Sequence, residues 1–273
     1  MSMAVSSSDI AIFVYYYKNG IFPFGHSIYQ PVMAGNALLH NTSGFTGDDS
    51  GDSISEKNRY YSELTGIYWA WKNTSYDITG SCHYRRYFTA KKEPFLYRIK
   101  RLLYFPAGLY KKRFGLIYTR RINRFADRIL TENEIRGIMS EYDAIFPVRR
   151  KLRYSVKEHF CRYHGAEDME LLTEIIRDNH PEYMPAFEEV MDGNRLFANN
   201  MFALKRNDHE RCVKWWFDVL FEFERRIDKA KYEGYQQRIM GFLAERILTI
   251  WVYHHRLRIK ELPVIYFKHL KTI

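Results

Sequence analysis

Two adjacent arginines, Arg85 and Arg86, are the residues of this chain with the most specific chemistry. They follow His83 and Tyr84 in the segment HYRRYF, residues 83–88. An arginine side chain offers a planar fork of N–H donors that matches phosphate oxygens, and it stays charged at every working pH. The segment therefore indicates a site for a phosphate-bearing ligand. An amphipathic strand end whose arginines pair with surface carboxylates is the alternative, and it stays open.

The residues before this segment predict a loop, a helix and a strand. The run DDSGDS, residues 48–53, consists of loop formers, since Asp and Ser bond their own backbone and Gly accepts positive φ. A helix beginning near Glu56 or Asn58 is predicted by apolar and aromatic residues at spacings of three and four: Tyr61, Leu64, Tyr68 and Trp71. Residues 76–82 then predict a buried strand that ends at His83. In an open α/β sheet this is the edge where ligands bind.

Several sequence blocks carry a resemblance to a known family. They are GDSISEKNRYYSELTGIYWAWKN (51–73) with GSCHYRRYF (80–88), then YDAIFPVRR (142–150), HPEYMPAF (180–187), NNMFALKR (199–206) and QQRIMGFLAERIL (236–248). In this order they resemble the capsular polysaccharide synthesis proteins, also catalogued as domain of unknown function 4422, which are bacterial glycosyltransferases. The resemblance spans roughly residues 10–250.

The resemblance implies both a fold and an activity. The fold is the A-type glycosyltransferase fold, a single Rossmann-like α/β domain with a mixed, mostly parallel sheet, helices on both faces and a nucleotide sugar at the carboxyl ends of the strands. The activity is transfer of a hexose, with galactofuranose among the candidates, and with inversion at the anomeric carbon.

The same resemblance suggests which residues bind the sugar donor. The expected donor-binding residues are Lys57, Asn58, Glu63, His83, Tyr84, Arg85, Arg86, Asn199 and Asn200. The cationic members would stabilise the leaving diphosphate as preorganised donors, and the two asparagines would bond sugar hydroxyls. Ordinary helix-end charges at Lys57 and Glu63, and a turn at Asn199 and Asn200, are the competing interpretations.

A metal site is not assigned. Many A-type glycosyltransferases have an Asp-x-Asp motif at the end of the strand that here ends in His83, and this chain has none there. A divalent ion, Mg²⁺ or Mn²⁺, held through Asp48, Asp49, Asp52 or His83 stays open, because magnesium needs only one or two protein carboxylates.

Glu245 and Asp168 are the two candidates for the catalytic base. Inverting transfer needs an Asp or Glu within hydrogen-bonding distance of the acceptor oxygen. Glu245 stands among apolar residues beside Arg246, and Asp168 follows the break at His164 and Gly165. A structural ion pair for Glu245, and an ordinary first-turn helix acid for Asp168, are the alternatives.

The remaining chain alternates strand and helix signals, which favours a parallel-rich sheet covered on both sides. Residues 10–17 and 144–148 predict buried strands, and residues 130–142 predict a helix with a capping box between Thr131 and Glu134. Helical segments broken at Gly165 and Pro181 follow, then a strand-like run around residues 197–205 and two long helices. We expect one glycosyltransferase-like domain over residues 1–273.

Composition indicates a globular protein of a reducing compartment. The chain has 273 residues, of which 46% are hydrophobic, and its three cysteines fit neither a disulfide framework nor a zinc site. No signal peptide and no run of about 18 apolar residues is present, so we expect a cytoplasmic protein, with peripheral attachment to the inner face of the bacterial plasma membrane as an open addition.

The net charge is concentrated in one segment. Residues 90–125 carry eleven Lys and Arg against one Glu, a net charge of +10 that equals that of the whole chain. Aromatic and aliphatic residues alternate with these charges, as in a helix lying on an anionic membrane. We expect a basic insertion that contacts the membrane; a solvated excursion stays open, and a nucleic-acid partner is disfavoured because charge elsewhere cancels and no recognised RNA motif is present.

These observations predict a glycosyltransferase. It would move a hexose from a nucleotide diphosphate sugar, most simply a UDP-sugar, to a lipid-linked saccharide acceptor in capsule, exopolysaccharide or lipopolysaccharide synthesis. A non-catalytic module that binds sugar nucleotides or glycans in a polysaccharide assembly complex is the competing hypothesis.

Overall fold

A mixed sheet of ten strands runs through the part of the chain that the structure, a computed structural model, describes: residues 9–22, 24–25, 27–39, 41–96, 99, 103, 115–268 and 270. The strands are β1 (Ile10–Tyr16), β2 (Tyr29–Met33), β3 (Thr46–Gly47), β4 (Ile78–His83), β5 (Arg86–Phe88), β6 (Leu116–Thr119), β7 (Ala144–Pro147), β8 (Arg150–Lys151), β9 (Arg195–Leu196), β10 (Phe202–Lys205), β11 (Ile259–Leu262) and β12 (Val264–Phe267). Strands β8 and β9 pair separately as a two-stranded sheet.

Helices connect most of these strands. The described α-helices are α1 (Asn58–Tyr61), α2 (Leu64–Asn73), α3 (Ile122–Ala126), α4 (Glu132–Glu141), α5 (Val156–Tyr163), α6 (Ala166–Asn179), α7 (Met184–Asp192), α8 (Arg206–Arg226) and α9 (Ile239–His255). Single 3₁₀ turns lie at Asn36–Leu38, Ser55–Lys57, Pro181–Tyr183, Lys229–Lys231 and Gly234–Arg238.

The strand order places the ends of β1 and β4 at one edge. The main path runs β11-β7-β10-β4-β1-β2-β3, in which β10 is antiparallel to both neighbours and the other pairs are parallel. Strand β5 turns back antiparallel beside β4 and also pairs antiparallel with β12, which in turn pairs with β6. The predicted fold class, a mixed and mostly parallel α/β sheet, is confirmed.

Two hydrophobic cores cover the two faces of the sheet. Successive side chains of a strand point to opposite faces, and in β1 Phe13 and Tyr15 belong to one core while Ile12 and Val14 belong to the other. Helices α2 and α5 to α9 pack on the first face, whereas α3 and α4 pack on the second. Apolar burial on both faces explains why β1 is a continuous hydrophobic run.

The helix expected from Glu56 onward is broken, which corrects the sequence prediction. Helix α1 ends at Tyr61, and Ser62 has φ 53° and ψ −130°, outside the helical region. Helix α2 then begins at Leu64, with Glu63 as its N-cap residue. The 3.6-residue pattern of apolar side chains survives the break because both helices pack on the same core, so the pattern could not reveal it.

Other local predictions are confirmed. The capping box of α4 is formed, since the Thr131 side chain accepts from the Glu134 backbone N–H and the Glu134 carboxylate accepts from the Thr131 backbone N–H. Helices α5, α6 and α7 are separated at Gly165 and Pro181 as expected. Part of the predicted basic insertion, residues 97, 98, 100–102 and 104–114, lies outside the described residues.

Helix α2 approaches β1 closely at Gly66, which generates a stability prediction. A Cβ atom there would lie 2.4 Å from Cδ1 of the buried Tyr15 ring, whereas nothing lies within 4 Å of a Cβ on Gly137 in α4. We expect Gly66→Ala to lower the free energy of unfolding by about 1–3 kcal/mol through overpacking. Gly137→Ala should instead raise it by about 0.5–1 kcal/mol, because alanine favours the helix. Urea unfolding of both variants checks this, and a shift of the same sign in both contradicts the close approach.

Candidate active site

A tight hairpin after β4 positions the two arginines. His83 at the end of β4 pairs with Arg86 at the start of β5, so Tyr84 and Arg85 form the turn. The pairing of Arg86 with Tyr266 in β12 brings the Tyr266 ring beside both guanidinium groups, whose carbons lie 5.3 Å from the ring centre. The negative face of an aromatic ring attracts a cation at this distance. Backbone pairing therefore holds two positive charges side by side.

The hairpin residues His83, Tyr84, Arg85 and Arg86 line a cavity of about 400 Å³ that we call the strand-end cavity. Its lining consists of Tyr15, Tyr16, Tyr17, Ala34, Asn58, Arg59, Ser62, Glu63, His83, Tyr84, Arg85, Arg86 and Arg238. Four arginines face one carboxylate in this set, so the strand-end cavity is strongly positive. Concave, positively charged walls concentrate anionic ligands.

Arg85 and Arg86 differ from the other two arginines of the strand-end cavity in their partners. Arg59 donates to Gln237 at 2.9 Å, and Arg238 pairs with Glu63 at 3.4 Å. Within the described part of the chain, the guanidinium groups of Arg85 and Arg86 make neither a hydrogen bond nor an ion pair. Burial lowers the pKa of Arg86, which still stays charged because guanidinium is not deprotonated in proteins. Their N–H donors are therefore available to an anion.

Glu63, the carboxylate among the described lining residues of this cavity, is fixed by several polar partners. Its Oε1 accepts from the Asn200 side chain at 2.9 Å and lies 3.8 Å from His83 Nε2, and its Oε2 is the atom that Arg238 contacts. Burial opposes the charge of Glu63, but His83, Arg238 and Asn200 together lower its pKa. Burial lowers the pKa of His83, and its Nε2–H donates to the Asn199 carbonyl at 2.7 Å. Glu63 is thus an ionised, immobilised group with His83, Arg238 and Asn200 as its partners.

Asn199 and Asn200 form a left-handed turn that connects this cavity with a second one. Their φ angles are 75° and 49°, a region that asparagine tolerates better than most residues. The Asn200 carbonyl accepts from Ser81 of β4 at 2.8 Å, and the Asn199 backbone N–H donates to Glu245 at 2.7 Å. The turn predicted as an alternative role for these residues is therefore present, and one side of it holds Glu63 while the other holds Glu245.

The second cavity, which we call the Glu245 cavity, has a volume of about 530 Å³ and meets the first at Arg86. It is lined by Arg86, Gly115, Leu116, Pro147, Val148, Arg150, Leu152, His159, Tyr163, His164, Leu196, Ala198, Asn199, Tyr235, Phe242, Glu245, Arg246, Val264 and Tyr266. Glu245 is the carboxylate in this lining. A carboxylate and a cluster of guanidinium groups thus line the two cavities that meet at Arg86.

Glu245 is held in place by two contacts. One oxygen accepts the Asn199 N–H, and the other lies 3.1 Å from the buried Arg246 guanidinium. Burial lowers the pKa of Arg246, and the charge of Glu245 opposes that effect. The side chain of Glu245 keeps 21% of its surface exposed toward the Glu245 cavity. Glu245 therefore forms an ion pair with Arg246 and also exposes part of its carboxylate to the cavity.

Comparisons with known proteins identify the family of this chain. The model of a family described as domain of unknown function (DUF4422) matches residues 11–256. The chain belongs to the DUF4422 family. The resemblance noted in the sequence is therefore confirmed.

A solved structure described as the apo form of WbbM, a bifunctional glycosyltransferase, is similar to this DUF4422 chain, with a TM-score of 0.84 and 26% sequence identity. The similarity covers 96% of this chain and 46% of that one, so the DUF4422 chain spans less than half the length of WbbM. None of the curated proteins matches the chain.

Three of the residues expected in the site of the DUF4422 chain line neither cavity: Lys57, Asp168 and Asn200, whose buried amide donates to Glu63. Lys57 pairs with Glu224 at 2.7 Å and does not line either cavity. Asp168, in the first turn of α6, accepts from the Tyr232 hydroxyl at 2.5 Å and is likewise outside both linings. Burial raises the pKa of Asp168 while Tyr232 lowers it. Asn58 lines the strand-end cavity, but its amide donates to the Ser62 carbonyl and caps its own short helix.

The acidic loop of residues 48–53 serves the fold. Asp48 is fully buried and accepts from the backbone of Gly35 and Asn36, each at 2.9 Å, while Asp52 accepts from Tyr68 and Asp49 from the Asn36 side chain. Among the described residues no group of three or more Asp, Glu, His or Cys side chains is placed to hold a metal ion. Asp48, Asp49 and Asp52 are not among the residues that line the strand-end cavity, and we derive no step through a divalent ion.

Several site residues were missed in the sequence. Tyr17 directly follows β1, and the rule that ligands bind at strand ends could have found it. Arg238, His159, His164 and Tyr266 come from distant segments, and no local spacing links them to the HYRRYF run. Only the folded sheet brings these residues together.

His164 in the wall of the Glu245 cavity generates a prediction about pH. Burial lowers its pKa from 6.5 to about 4, so between these values the unfolded chain binds a proton that the folded chain does not. The contribution of neutral His164 to the stability of the folded chain is therefore lost as the pH falls from 6.5 toward 4. We expect the melting temperature to fall less between pH 7 and pH 5 in His164→Gln, which can still donate to Gln236, than in the wild type. Equal slopes in thermal melts would mean that this histidine is not held neutral by burial.

Proposed function

We propose that this chain is a glycosyltransferase that moves a sugar from a nucleotide diphosphate sugar to a glycan acceptor. The observation that carries the proposal is the pair Arg85 and Arg86, two charged side chains that face the strand-end cavity without a carboxylate partner among the described residues. Membership of the DUF4422 family and the similarity to WbbM support it.

The strand-end cavity has the groups that a nucleotide diphosphate requires. The diphosphate oxygens would accept from Arg85 and Arg86, with Arg59 and Arg238 on the other side. Fixed donors of this kind stabilise the negative charge that develops on the leaving diphosphate. The ring of Tyr17, which is 55% exposed at the end of β1, offers a flat face to the base. Uracil is the base that we propose.

The Glu245 cavity would hold the acceptor. A hydroxyl oxygen of the acceptor attacks the anomeric carbon of the donor sugar while the bond from that carbon to the diphosphate oxygen breaks. The configuration at the anomeric carbon inverts. The Glu245 carboxylate takes the hydroxyl proton, as a general base does. Arg86, which lines both cavities, would stabilise the charge that builds up on the leaving group.

The finer parts of the proposal come from the sequence. The transferred sugar is a hexose, with galactofuranose as one candidate, and the acceptor is a lipid-linked saccharide of a capsule, exopolysaccharide or lipopolysaccharide. The basic segment of residues 90–125 would bring the enzyme to an anionic membrane from the cytoplasmic side, by electrostatic attraction. Within the described residues, no helix is both long enough and apolar enough to cross a bilayer.

One observation favours the alternative of a non-catalytic module that binds sugar nucleotides or glycans. Both oxygens of Glu245 have protein partners, the Asn199 N–H and the buried Arg246, which would also suit a purely structural carboxylate. Turnover separates the two functions, because a binding module would bind UDP without ever hydrolysing a UDP-sugar.

The role of the arginine pair gives the first functional prediction. We expect UDP to raise the melting temperature of the wild type, and one UDP-sugar of a panel to be slowly hydrolysed, with or without a chelator. Arg85→Ala should weaken UDP binding by about tenfold to a hundredfold, the effect of one or two charge-assisted hydrogen bonds. Its own melting temperature should stay nearly unchanged, because the guanidinium has no hydrogen-bond or ion-pair partner among the described residues.

The matched control is Arg136→Ala, which removes an exposed arginine paired with Glu132 on α4, away from both cavities. It should bind UDP as the wild type does. Unchanged UDP affinity in Arg85→Ala, or absence of any UDP-induced shift in the wild type, would contradict the proposed donor site.

The base is tested by Glu245→Gln. Glutamine keeps an oxygen for the Asn199 N–H but cannot take a proton, so turnover should fall by about 10²–10⁴-fold while UDP affinity is retained. Asp168→Asn is the comparison, and we expect turnover within a few fold of wild type because Asp168 lies outside both cavities. Steady-state hydrolysis and UDP titration of both variants decide which carboxylate acts as the base. Full activity of Glu245→Gln, with loss in Asp168→Asn, would transfer the role to Asp168.

A further inference from the structure

An aromatic wall lines one side of the Glu245 cavity. The rings of His164 and Phe242 stack with their centres 4.1 Å apart and 25° between their planes. The ring of Tyr235 lies 5.0 Å from Phe242 and is 67% exposed. A flat apolar surface of this kind packs against the C–H face of a sugar ring, while the sugar hydroxyls remain free for polar partners.

Hydrogen bonds hold this wall in a fixed orientation. His164 Nδ1 donates to the Gln236 side-chain oxygen at 3.0 Å, and the Gln236 amide donates to the Tyr163 carbonyl at 2.8 Å. The turn that carries Tyr235 is thereby tied to the end of α5. Since His164 is neutral near pH 7, the wall itself carries no charge.

An arginine without a polar partner among the described residues lies on the rim of the same cavity. Arg149 pairs with Glu261 at 2.8 Å, but the guanidinium of the neighbouring Arg150 makes neither a hydrogen bond nor an ion pair among the described residues. Arg150 is exposed, and its positive charge lowers the pKa of His159 after the larger effect of burial. Arg246 already serves Glu245 and Arg86 is assigned to the leaving diphosphate, so Arg150 is the remaining arginine among the described lining residues of this cavity.

We propose that the Glu245 cavity binds a sugar that carries a negatively charged group, with the sugar ring on Tyr235 and Phe242 and the anion on Arg150. Calling this sugar the acceptor rests on the proposed function. The anion is an oxyanion that fits the arginine fork, either the carboxylate of an acidic sugar or the phosphate that joins a glycan to its carrier.

Three probes test this proposal by calorimetric titration, with and without UDP: octyl galactoside, octyl galacturonide and octyl galactosyl diphosphate. We expect at least one of the charged probes to bind about tenfold more tightly than the neutral one, as a charge-assisted hydrogen bond allows. Arg150→Gln should remove that preference. Tyr235→Ala should weaken binding of every probe by a similar factor, because it removes contact with the sugar ring and not with the anion.

The matched control is Lys151→Gln. Lys151 is exposed and adjacent in β8, but successive side chains of a strand point to opposite faces, and Lys151 does not line the Glu245 cavity. It should keep the preference for charged probes. The tighter of the two charged probes identifies the anion as a carboxylate or a phosphate.

Equal affinity of the wild type for neutral and charged probes, absence of binding of any probe, or a preference that survives Arg150→Gln overturns the proposal. Failure of the proposed function shows differently, as absence of UDP binding in the titration without saccharide. If the charged probes bind and UDP does not, the saccharide site is supported and only its role as an acceptor site is rejected.

Discussion

Two guanidinium groups held side by side by backbone pairing are the feature on which the site depends. Neither Arg85 nor Arg86 owes its position to an ion pair among the described residues; the hairpin after β4 and the pairing with β12 fix the backbone, and the Tyr266 ring fixes the side chains. Like charges at close range repel, so this arrangement costs free energy in the unliganded protein. An anion in the strand-end cavity removes that cost, which is why the geometry favours a diphosphate over a neutral ligand.

The two cavities are linked by shared backbone as well as by Arg86. The left-handed turn at Asn199 and Asn200 bonds Glu63 on one side and Glu245 on the other. The 3₁₀ turn Gly234–Arg238 likewise serves both cavities, since Tyr235 lines one and Arg238 lines the other. A displacement of either turn changes both cavities together. The groups proposed to bind the two reactants are thus held in one relative geometry, which is what bringing reactants together requires.

The sequence was sufficient for elements whose signals are local. The capping box at Thr131, the breaks at Gly165 and Pro181 and the strand that ends at His83 depend on neighbouring residues, and all were predictable. The break at Ser62 was not, because apolar spacing reports which face is buried and not whether the backbone is continuous. The strand-end location of the arginines followed from topology rules, whereas Arg238 and Tyr266 reach the site only through pairing and packing over long sequence separations.

The partners of Glu245 and Glu63 distinguish their chemical roles. A carboxylate offers about four lone-pair positions. Glu63 contacts Asn200, His83 and Arg238, and its side chain is 12% exposed, so little of it is left for a reactant. Glu245 has two partners and 21% exposure, so it keeps acceptor positions open toward its cavity. Arg246 is only 2% exposed, so its guanidinium stays in place when the charge of Glu245 changes. Its fixed position orients the Glu245 carboxylate. The ion pair with Arg246 is therefore compatible with the proposed role of Glu245 as a proton acceptor, because the ion pair orients the carboxylate toward its cavity.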